Sequence, residues 1–137
     1  MVYSTRTRYE GFLRACREAG IPEEDVFQAQ ISEESEILAQ VRAWMQQGIT
    51  GIFAFFDVEA WSTITILENN GYSVPRDMAF VGFDNILGYM NFPKPITSVD
   101  GNLPEIASSA VDILRKRIHD PSLAPQHLML PVHLVER

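Results

Sequence analysis

Apolar residues recur along the chain at two different spacings, and these spacings predict alternating helices and strands. Spacings of three and four residues predict helices over about 5–19, 32–48, 57–70 and 102–119. Short apolar runs bounded by turn residues predict strands at about 26–31, 51–56, 78–81, 96–99 and 126–135. This alternation is typical of an α/β fold with a doubly wound, mainly parallel sheet.

Polar residues at the expected helix starts predict how the helices begin. Ser32 and Asp57 each precede a helical pattern and are expected to cap the second and third helices. Asn102 and Glu105 have the spacing of a capping box at the start of the fourth helix. Pro131 favours an edge position for the last strand, because proline cannot donate a ladder hydrogen bond.

Two of the predicted parallel strands end on an aromatic residue that is followed by an acid. The run GIFAFF ends at Phe56 and precedes Asp57, and the run FVGFDN contains Phe83 and Asp84. Ligands of doubly wound folds bind beyond the carboxyl ends of the strands, so both acids are candidate site residues. A helix cap accounts fully for Asp57. Asp84 either faces a ligand crevice or forms a turn together with Asn85.

Composition and charge restrict the class of protein. The 137 residues, 46% hydrophobic and 21% charged, suit one globular domain. The net charge of −7 disfavours binding of this chain to nucleic acid, and the basic run at 115–117 lies where it would stabilise a helix end. No apolar run long enough for a bilayer and no signal segment appear, so we expect a cytoplasmic protein without membrane association. The lone Cys16 excludes an internal disulfide and a cysteine-based zinc site.

No pattern in the sequence indicates catalysis. The dinucleotide-binding glycine motif, the P-loop lysine and the nucleophile elbow are absent. The histidines are scattered without a nearby third metal ligand, at positions His119, His127 and His133. We therefore expect no enzyme activity and no cofactor. An enzyme on a similar scaffold is the alternative, and turnover of a bound metabolite would reveal it.

Three segments together resemble a known family. They are RYEGFLRACREAGI (8–21), GIFAFFDVEAWSTITILENNGYSVPRDMAFVGFDN (51–85) and PITSVDGNLPEIASSAVDILRKRI (95–118). In order and spacing they resemble the effector-binding, C-terminal domain of lactose/galactose-repressor-type transcriptional regulators, which share their fold with periplasmic sugar-binding proteins. The strand–Asp–helix unit, the V-P-x-D turn and V-G-F-D-N are specific in combination, and the resemblance covers nearly the whole chain.

The resemblance implies a lobe that closes with a second lobe on a small-molecule effector, usually a sugar or a related metabolite. Arg8 matches the arginine of the R-x-x-G-F motif and Asp84 the aspartate of G-F-D, and both are implied ligand contacts. Ser4 lies one helical turn before Arg8, where a further polar contact can occur. An arginine fork and a carboxylate together can hold adjacent hydroxyls or a carboxylate.

Two positions depart from the family pattern. Phe56 precedes Asp57 where the family often has an Asn-Asp pair, so an aromatic face replaces an amide contact in the implied ligand site. Gly101 stands where a glutamine is common. With two common polar contacts absent, the resemblance does not specify the ligand.

The resemblance also implies a longer protein. Residues 1–100 correspond to the effector-binding lobe, 101–119 to a helix that crosses to the other lobe, and 120–137 to a returning edge strand. We expect a fragment that lacks the first lobe, the first strand and a helix-turn-helix domain, from a homodimer that contacts DNA only through that domain. The alternative is a lobe of an exported sugar-binding protein of a transporter, which an upstream secretion signal would favour.

Overall fold

A computed structural model describes residues 3–31, 33–86 and 94–137. In this part of the chain two helices are followed by a strand, a helix, two strands, a helix and a last strand. The helices are α1 (Tyr3–Glu18), α2 (Glu34–Gln46), α3 (Asp57–Asn69) and α4 (Leu103–His119). The strands are β1 (Gly51–Phe53), β2 (Ala79–Phe83), β3 (Thr97–Asp100) and β4 (His133–Val135). A short 3-10 turn, Glu23–Asp25, lies between α1 and α2.

The four strands form one sheet in the order β1-β2-β3-β4. The first three strands are parallel, with Ile52 opposite Phe80 and Gly82 opposite Ser98. β4 runs antiparallel to β3 at the outer edge of the sheet. The predicted α/β fold with a mainly parallel sheet is therefore confirmed, as is the edge position of the last strand.

Three of the predicted strands need correction, one in its existence and two in their length. The strand predicted at 26–31 is wrong, because these residues pair with none of the four strands and are mostly exposed. An extended segment without a partner strand has to direct its N–H and C=O groups to other partners or to water. β1 ends at Phe53, since the chain then turns towards α3, and β4 is limited to residues 133–135.

The buried core lies between the sheet and two helices. α3 contacts β2, and α2 contacts α3. The core residues include members of the predicted apolar stripes of both helices and are Val41, Ala60, Ile64, Leu67, Met78, Phe80 and Ile96. Full burial of a large apolar side chain contributes about 1.5–3 kcal/mol. This cluster therefore fixes β2 and the start of β3, and with them the positions of the strand ends.

The helix bounds lie within two residues of the predicted ones, whereas the predicted capping differs from that observed. Gly48 follows α2 at a φ of +85°, and its N–H donates to the carbonyl of Met45 at 3.0 Å. The predicted cap Ser32 lies outside the described residues. Asn102 is the N-cap of α4, but its side-chain amide donates to the Glu105 carboxylate at 2.7 Å and makes no side-chain cap bond. The predicted capping box is therefore wrong in its hydrogen bonds.

α4 presents an apolar face that the described residues leave open. The predicted amphipathic pattern of this helix is present, yet none of its residues is buried. Its most exposed apolar side chains are Val111, Leu114 and Ile118, at 55%, 59% and 67% exposure. Whether this helix crosses to another lobe stays a prediction, as do the three segment boundaries given above.

Candidate ligand-binding site

Arg8 on α1 and Asp84 at the end of β2 form an ion pair, although 76 residues separate them in the chain. The Arg8 Nη2 atom donates to Asp84 Oδ1 at 3.3 Å. The two side chains are 17% and 26% exposed, so each keeps some surface open to solvent. The structure thus brings together the two residues that the resemblance implied as ligand contacts, at the carboxyl end of the parallel strands.

The Arg8 guanidinium is fixed from several sides. Its Nη1 atom donates to the carbonyl oxygen of Phe55 at 2.6 Å. Its central carbon lies 3.6 Å from the ring centroid of Phe83 and 5.0 Å from that of Phe56, both within the range of cation–π attraction. A guanidinium has five N–H donors, so these contacts orient the group without using all of them.

The loop after β2 has an unusual backbone. Asp84 has a φ of +100° and Asn85 a φ of +48°, in the region that side-chain-bearing residues rarely adopt. Three successive backbone N–H groups donate hydrogen bonds that hold this conformation. Asp84 donates to the carbonyl of Val99 at 2.9 Å, and Asn85 donates to Ser98 Oγ at 3.1 Å. Ile86 donates to a carboxylate oxygen of Asp57 at 2.9 Å.

Asp57 lies beneath this loop with no exposed surface. Its Oδ1 accepts from Ser98 Oγ at 2.6 Å, and its Oδ2 accepts from the Ile86 N–H. The predicted helix cap is wrong, because Phe56 is the N-cap residue of α3 and Asp57 is already its first residue. The Asp57 side chain also has no exposed surface through which it could make the predicted ligand contact. Its carboxylate supports the loop that carries Asp84.

Gly82 makes room for the buried carboxylate. A Cβ on Gly82 would lie 2.1 Å from Asp57 Oδ1, far inside van der Waals contact. A side chain at this position of β2 is therefore incompatible with the observed place of Asp57. The glycine of the G-F-D motif thus has a steric reason that the strand pattern alone does not reveal.

A second polar cluster lies beside the loop after β2, and it was not predicted from the sequence. Asn85 Nδ2 donates to Asp100 Oδ2 at 2.9 Å, and Asn85 Oδ1 accepts from Arg137 at 2.7 Å. The other Asp100 oxygen accepts from the Asn102 N–H at 2.6 Å, and His133 Nε2 lies 3.7 Å from Asp100. The signal was available, because Asp100 ends β3 just as acids follow the ends of β1 and β2.

The acids of this region differ in their pKa. Burial raises the pKa of Asp84 above its ordinary value, and the neighbouring charge of Asp57 adds to this, while Arg8 opposes it. The pKa of Asp100 is lowered, chiefly by the hydrogen bond from Asn85 and then by the backbone N–H of Asn102. Asp84 therefore changes its charge at a higher pH than Asp100 does.

The other two predicted site residues lie at the margin of the ion pair. Phe56 is 37% exposed and turns toward the Arg8 guanidinium, so its ring is available to a ligand. Ser4 is exposed on α1, one turn before Arg8, and its carbonyl accepts from the Thr7 hydroxyl at 3.2 Å. Their predicted ligand contacts stay predictions.

The described residues offer no metal or membrane feature. Across residues 3–31, 33–86 and 94–137, no three His, Cys, Asp or Glu side chains are grouped as metal ligands would be. Within the same ranges no helix has both the length and the apolar character needed to cross a bilayer.

Known proteins resemble this chain over nearly all of its length. The model of the periplasmic binding protein-like domain family matches residues 2–137. The HTH-type transcriptional repressor PurR of Actinobacillus pleuropneumoniae serotype 3 is 32% identical over 117 residues, which cover 83% of this chain and 35% of the repressor. The HTH-type transcriptional regulator DegA of Bacillus subtilis is 33% identical over 135 residues, which cover 96% of this chain and 40% of the regulator.

A solved structure shows the same fold. A LacI family transcriptional regulator from Enterococcus faecium with bound ribose superimposes with a TM-score of 0.79 at 27% sequence identity. The match covers 96% of this chain and 50% of that one. This chain therefore spans less than half the length of the curated relatives just described, and half of the solved chain. On the family match over residues 2–137, the chain belongs to the family of periplasmic binding protein-like domains.

Proposed function

We propose that the chain is the effector-sensing part of a transcriptional regulator, and that Arg8 and Asp84 contact the effector. The observation that carries this proposal is their part-buried ion pair at the carboxyl end of the parallel strands, where ligands of such folds bind. The relatives support it, since they are HTH-type regulators and not transport proteins or enzymes. The rest of the regulator, including a DNA-binding domain, belongs to this proposal.

The chemistry of the pair suits an uncharged molecule with several hydroxyl groups. Asp84 accepts hydrogen bonds from hydroxyls, and Arg8 donates to hydroxyl oxygens from the N–H groups that its protein contacts leave over. Because the two charges already compensate each other, the pair adds no net charge that would attract an ion. The relative from Enterococcus faecium holds ribose, which has this character.

The exposed ring of Phe56 supports the same ligand class. One face of a sugar ring is lined by C–H groups, and such a face packs against an aromatic ring while its hydroxyls reach polar partners. Phe56 lies 5.0 Å from Arg8, so a ligand held by the guanidinium also comes within reach of the ring. Ser4, one turn away, would contribute a hydroxyl to the same ligand.

The regulator would act by population shift. An effector that binds between two lobes stabilises one arrangement of the lobes, and a dimeric DNA-binding unit attached to them responds to that arrangement. The effector is bound and released without chemical change, in the cytoplasm, where the regulator meets DNA. Homodimer formation is part of this proposal.

Calorimetric titration tests the site. The ligands would be uncharged pentoses and hexoses, beginning with D-ribose, titrated into the full-length regulator as wild type, Arg8→Met and Asp84→Asn. Loss of a hydrogen bond to a charged group predicts a decrease in affinity of about 10- to 100-fold for both variants. The matched controls are Arg14→Met on the exposed side of α1 and Asp112→Asn on α4, which should bind as the wild type does. Equal affinity of all five proteins would contradict the assignment.

A further inference from the structure

The loop that carries Asp84 is held from below by two buried polar side chains. Asp57 and Ser98 both have 0% exposure, and they are the buried polar residues of the described part of the chain. They hydrogen-bond each other at 2.6 Å, although 41 residues separate them. A buried polar group is costly unless it is hydrogen-bonded, so a pair of this kind needs partners for its remaining capacity.

Those partners are the backbone N–H groups next to Asp84. Ser98 donates its proton to Asp57 and accepts from the Asn85 N–H at 3.1 Å. Asp57 uses its other oxygen to accept from the Ile86 N–H at 2.9 Å. The two side chains thus accept two successive N–H groups of a loop whose first two residues have positive φ.

The surrounding structure leaves this arrangement little freedom. Gly82 lies against the Asp57 carboxylate so closely that an added Cβ would meet it at 2.1 Å. Ser98 lies opposite Gly82 on the neighbouring strand, and Gly82 lies against Asp57. The register of β2 and β3 therefore sets the distance between the Ser98 hydroxyl and the Asp57 carboxylate. Asp84, in turn, donates its own N–H to Val99 of β3 at 2.9 Å.

We propose that Asp57 and Ser98 are positioning residues, which hold the loop at 84–86 so that the Asp84 carboxylate stays within 3.3 Å of Arg8 and open to the effector. This inference rests on the proposed function only in naming the effector. Neither residue touches the effector itself. They act through the backbone, and a site residue displaced by about half an ångström loses its productive geometry.

Two variants separate the contributions of the two residues. Ser98→Ala removes the hydroxyl and leaves the Asn85 N–H and Asp57 Oδ1 without their partner, with a minimal change in volume. Asp57→Asn keeps the shape but places an amide group against a donor. Ser98→Thr keeps the hydroxyl and serves as the conservative variant. Ser108→Ala is the matched control, since Ser108 is exposed on α4.

Hydrogen exchange of single amides, measured by NMR, is the first readout. Loss of one buried hydrogen bond predicts exchange at Asn85 and Ile86 that is about tenfold faster or more in Ser98→Ala and Asp57→Asn. After correction for any change in global stability, the amides of β1, α2 and α3 should exchange as slowly as they do in the wild type. A uniform increase across all amides would show that the two residues act only on overall stability, and the inference would then fail.

The pKa of Asp84 is the second readout, because a merely structural role would leave it in place. Release of the loop exposes the carboxylate to water, so its pKa should fall towards the ordinary value in Ser98→Ala and remain raised in Ser98→Thr and Ser108→Ala. The carboxyl carbon of Asp84 can be titrated directly by NMR. An Asp84 pKa that is the same in Ser98→Ala and Ser108→Ala would contradict the proposal.

Titration with D-ribose separates this inference from the proposed function. If the wild type binds ribose, Ser98→Ala should bind it about tenfold more weakly while folding normally. If the wild type binds no sugar of the panel, the proposed function fails on that ligand class. The exchange and titration of Asp84 still decide the positioning role in that case, since neither needs a ligand.

Discussion

Gly82 of β2 lies directly against the buried carboxylate of Asp57 at the start of α3, which leaves no room for a side chain at position 82. A Cβ at Gly82 would lie 2.1 Å from Asp57 Oδ1 and 3.3 Å from the Asp57 Cα. Gly82→Ala should therefore destabilise the protein by about 2–4 kcal/mol, because overpacking is combined with displacement of a buried charge. Urea unfolding followed by circular dichroism measures this.

The control for that variant is Gly51→Ala. Gly51 also lies in a strand of the sheet, yet an added Cβ there meets nothing within 4 Å. Its unfolding free energy should stay within about 0.5 kcal/mol of the wild type. In an Asp57→Ala background the Gly82→Ala change should cost much less than it does alone, because its main obstacle is gone. Full additivity of the two changes would argue against the steric account.

The contact between Arg8 and the Phe83 ring, 3.6 Å from guanidinium carbon to ring centroid, predicts a specific coupling. A double-mutant cycle of Arg8→Met and Phe83→Leu should give a coupling energy of about 0.5–2 kcal/mol. The matched cycle uses Phe53→Leu, since Phe53 stacks on Phe12 at 5.5 Å. It should give almost no coupling with Arg8→Met. Equal coupling in both cycles would show that the aromatic residues act only through general packing.

The raised pKa of Asp84 predicts a particular dependence of stability on pH. An acid whose pKa is higher in the folded state binds more protons when folded, at any pH between its ordinary value of 3.8 and the raised value. Its contribution to stability is therefore largest at low pH and decreases as the pH rises through that window. Asp84→Asn removes this pH dependence, so the unfolding free energy of the variant should increase relative to that of the wild type as the pH rises.

Urea unfolding at several pH values from about 3 to 7 tests this sign, with Asp112→Asn as an exposed control. The affinity for the proposed effector should show the opposite trend, because the proposed contact uses the ionised carboxylate of Asp84. Its affinity for the wild type should fall as the pH drops through the pKa of Asp84. If the stability difference between Asp84→Asn and the wild type stays constant over this range, the raised pKa is wrong.

The open apolar face of α4 predicts concentration-dependent self-association. Leu114 is 59% exposed, so Leu114→Lys should change the unfolding free energy by less than about 0.5 kcal/mol. It should nevertheless reduce association, because it interrupts a contiguous apolar surface. Sedimentation velocity at increasing protein concentration measures the difference, and Ser108→Lys on the same helix is the control. Association that is equally strong in both variants would assign the contact to another surface.

Local patterns were sufficient for most of the fold. The apolar stripes of α2 and α3 and the unbroken apolar run before Phe56 indicated a parallel sheet with helices packed on it, because these patterns report burial directly. The segment at 26–31 failed for the opposite reason. Its residues can be extended, but whether an extended segment becomes a strand depends on a partner elsewhere in the chain.

Only half of the site could be predicted from the sequence. Arg8 follows from a family resemblance and Asp84 from its place at a strand end together with that resemblance, whereas the local pattern at Asp57 indicates a helix cap. A carboxylate at the start of a helix gives the same local pattern whether it caps that helix or binds another loop. What distinguishes the two roles is Ser98, which lies 41 residues away, and the absence of a side chain at Gly82. Contacts of this range leave no periodic signal in the sequence.

The Asp100 carboxylate connects the start of α4 to the loop after β2. One oxygen accepts from the backbone of Asn102, where α4 begins, and the other accepts from the side chain of Asn85, the neighbour of Asp84. A shift of the start of α4 against the sheet must stretch one of these two hydrogen bonds or carry Asn85 along. The position of the loop that carries Asp84 and the orientation of α4 are therefore coupled through the Asp100 carboxylate at the end of β3.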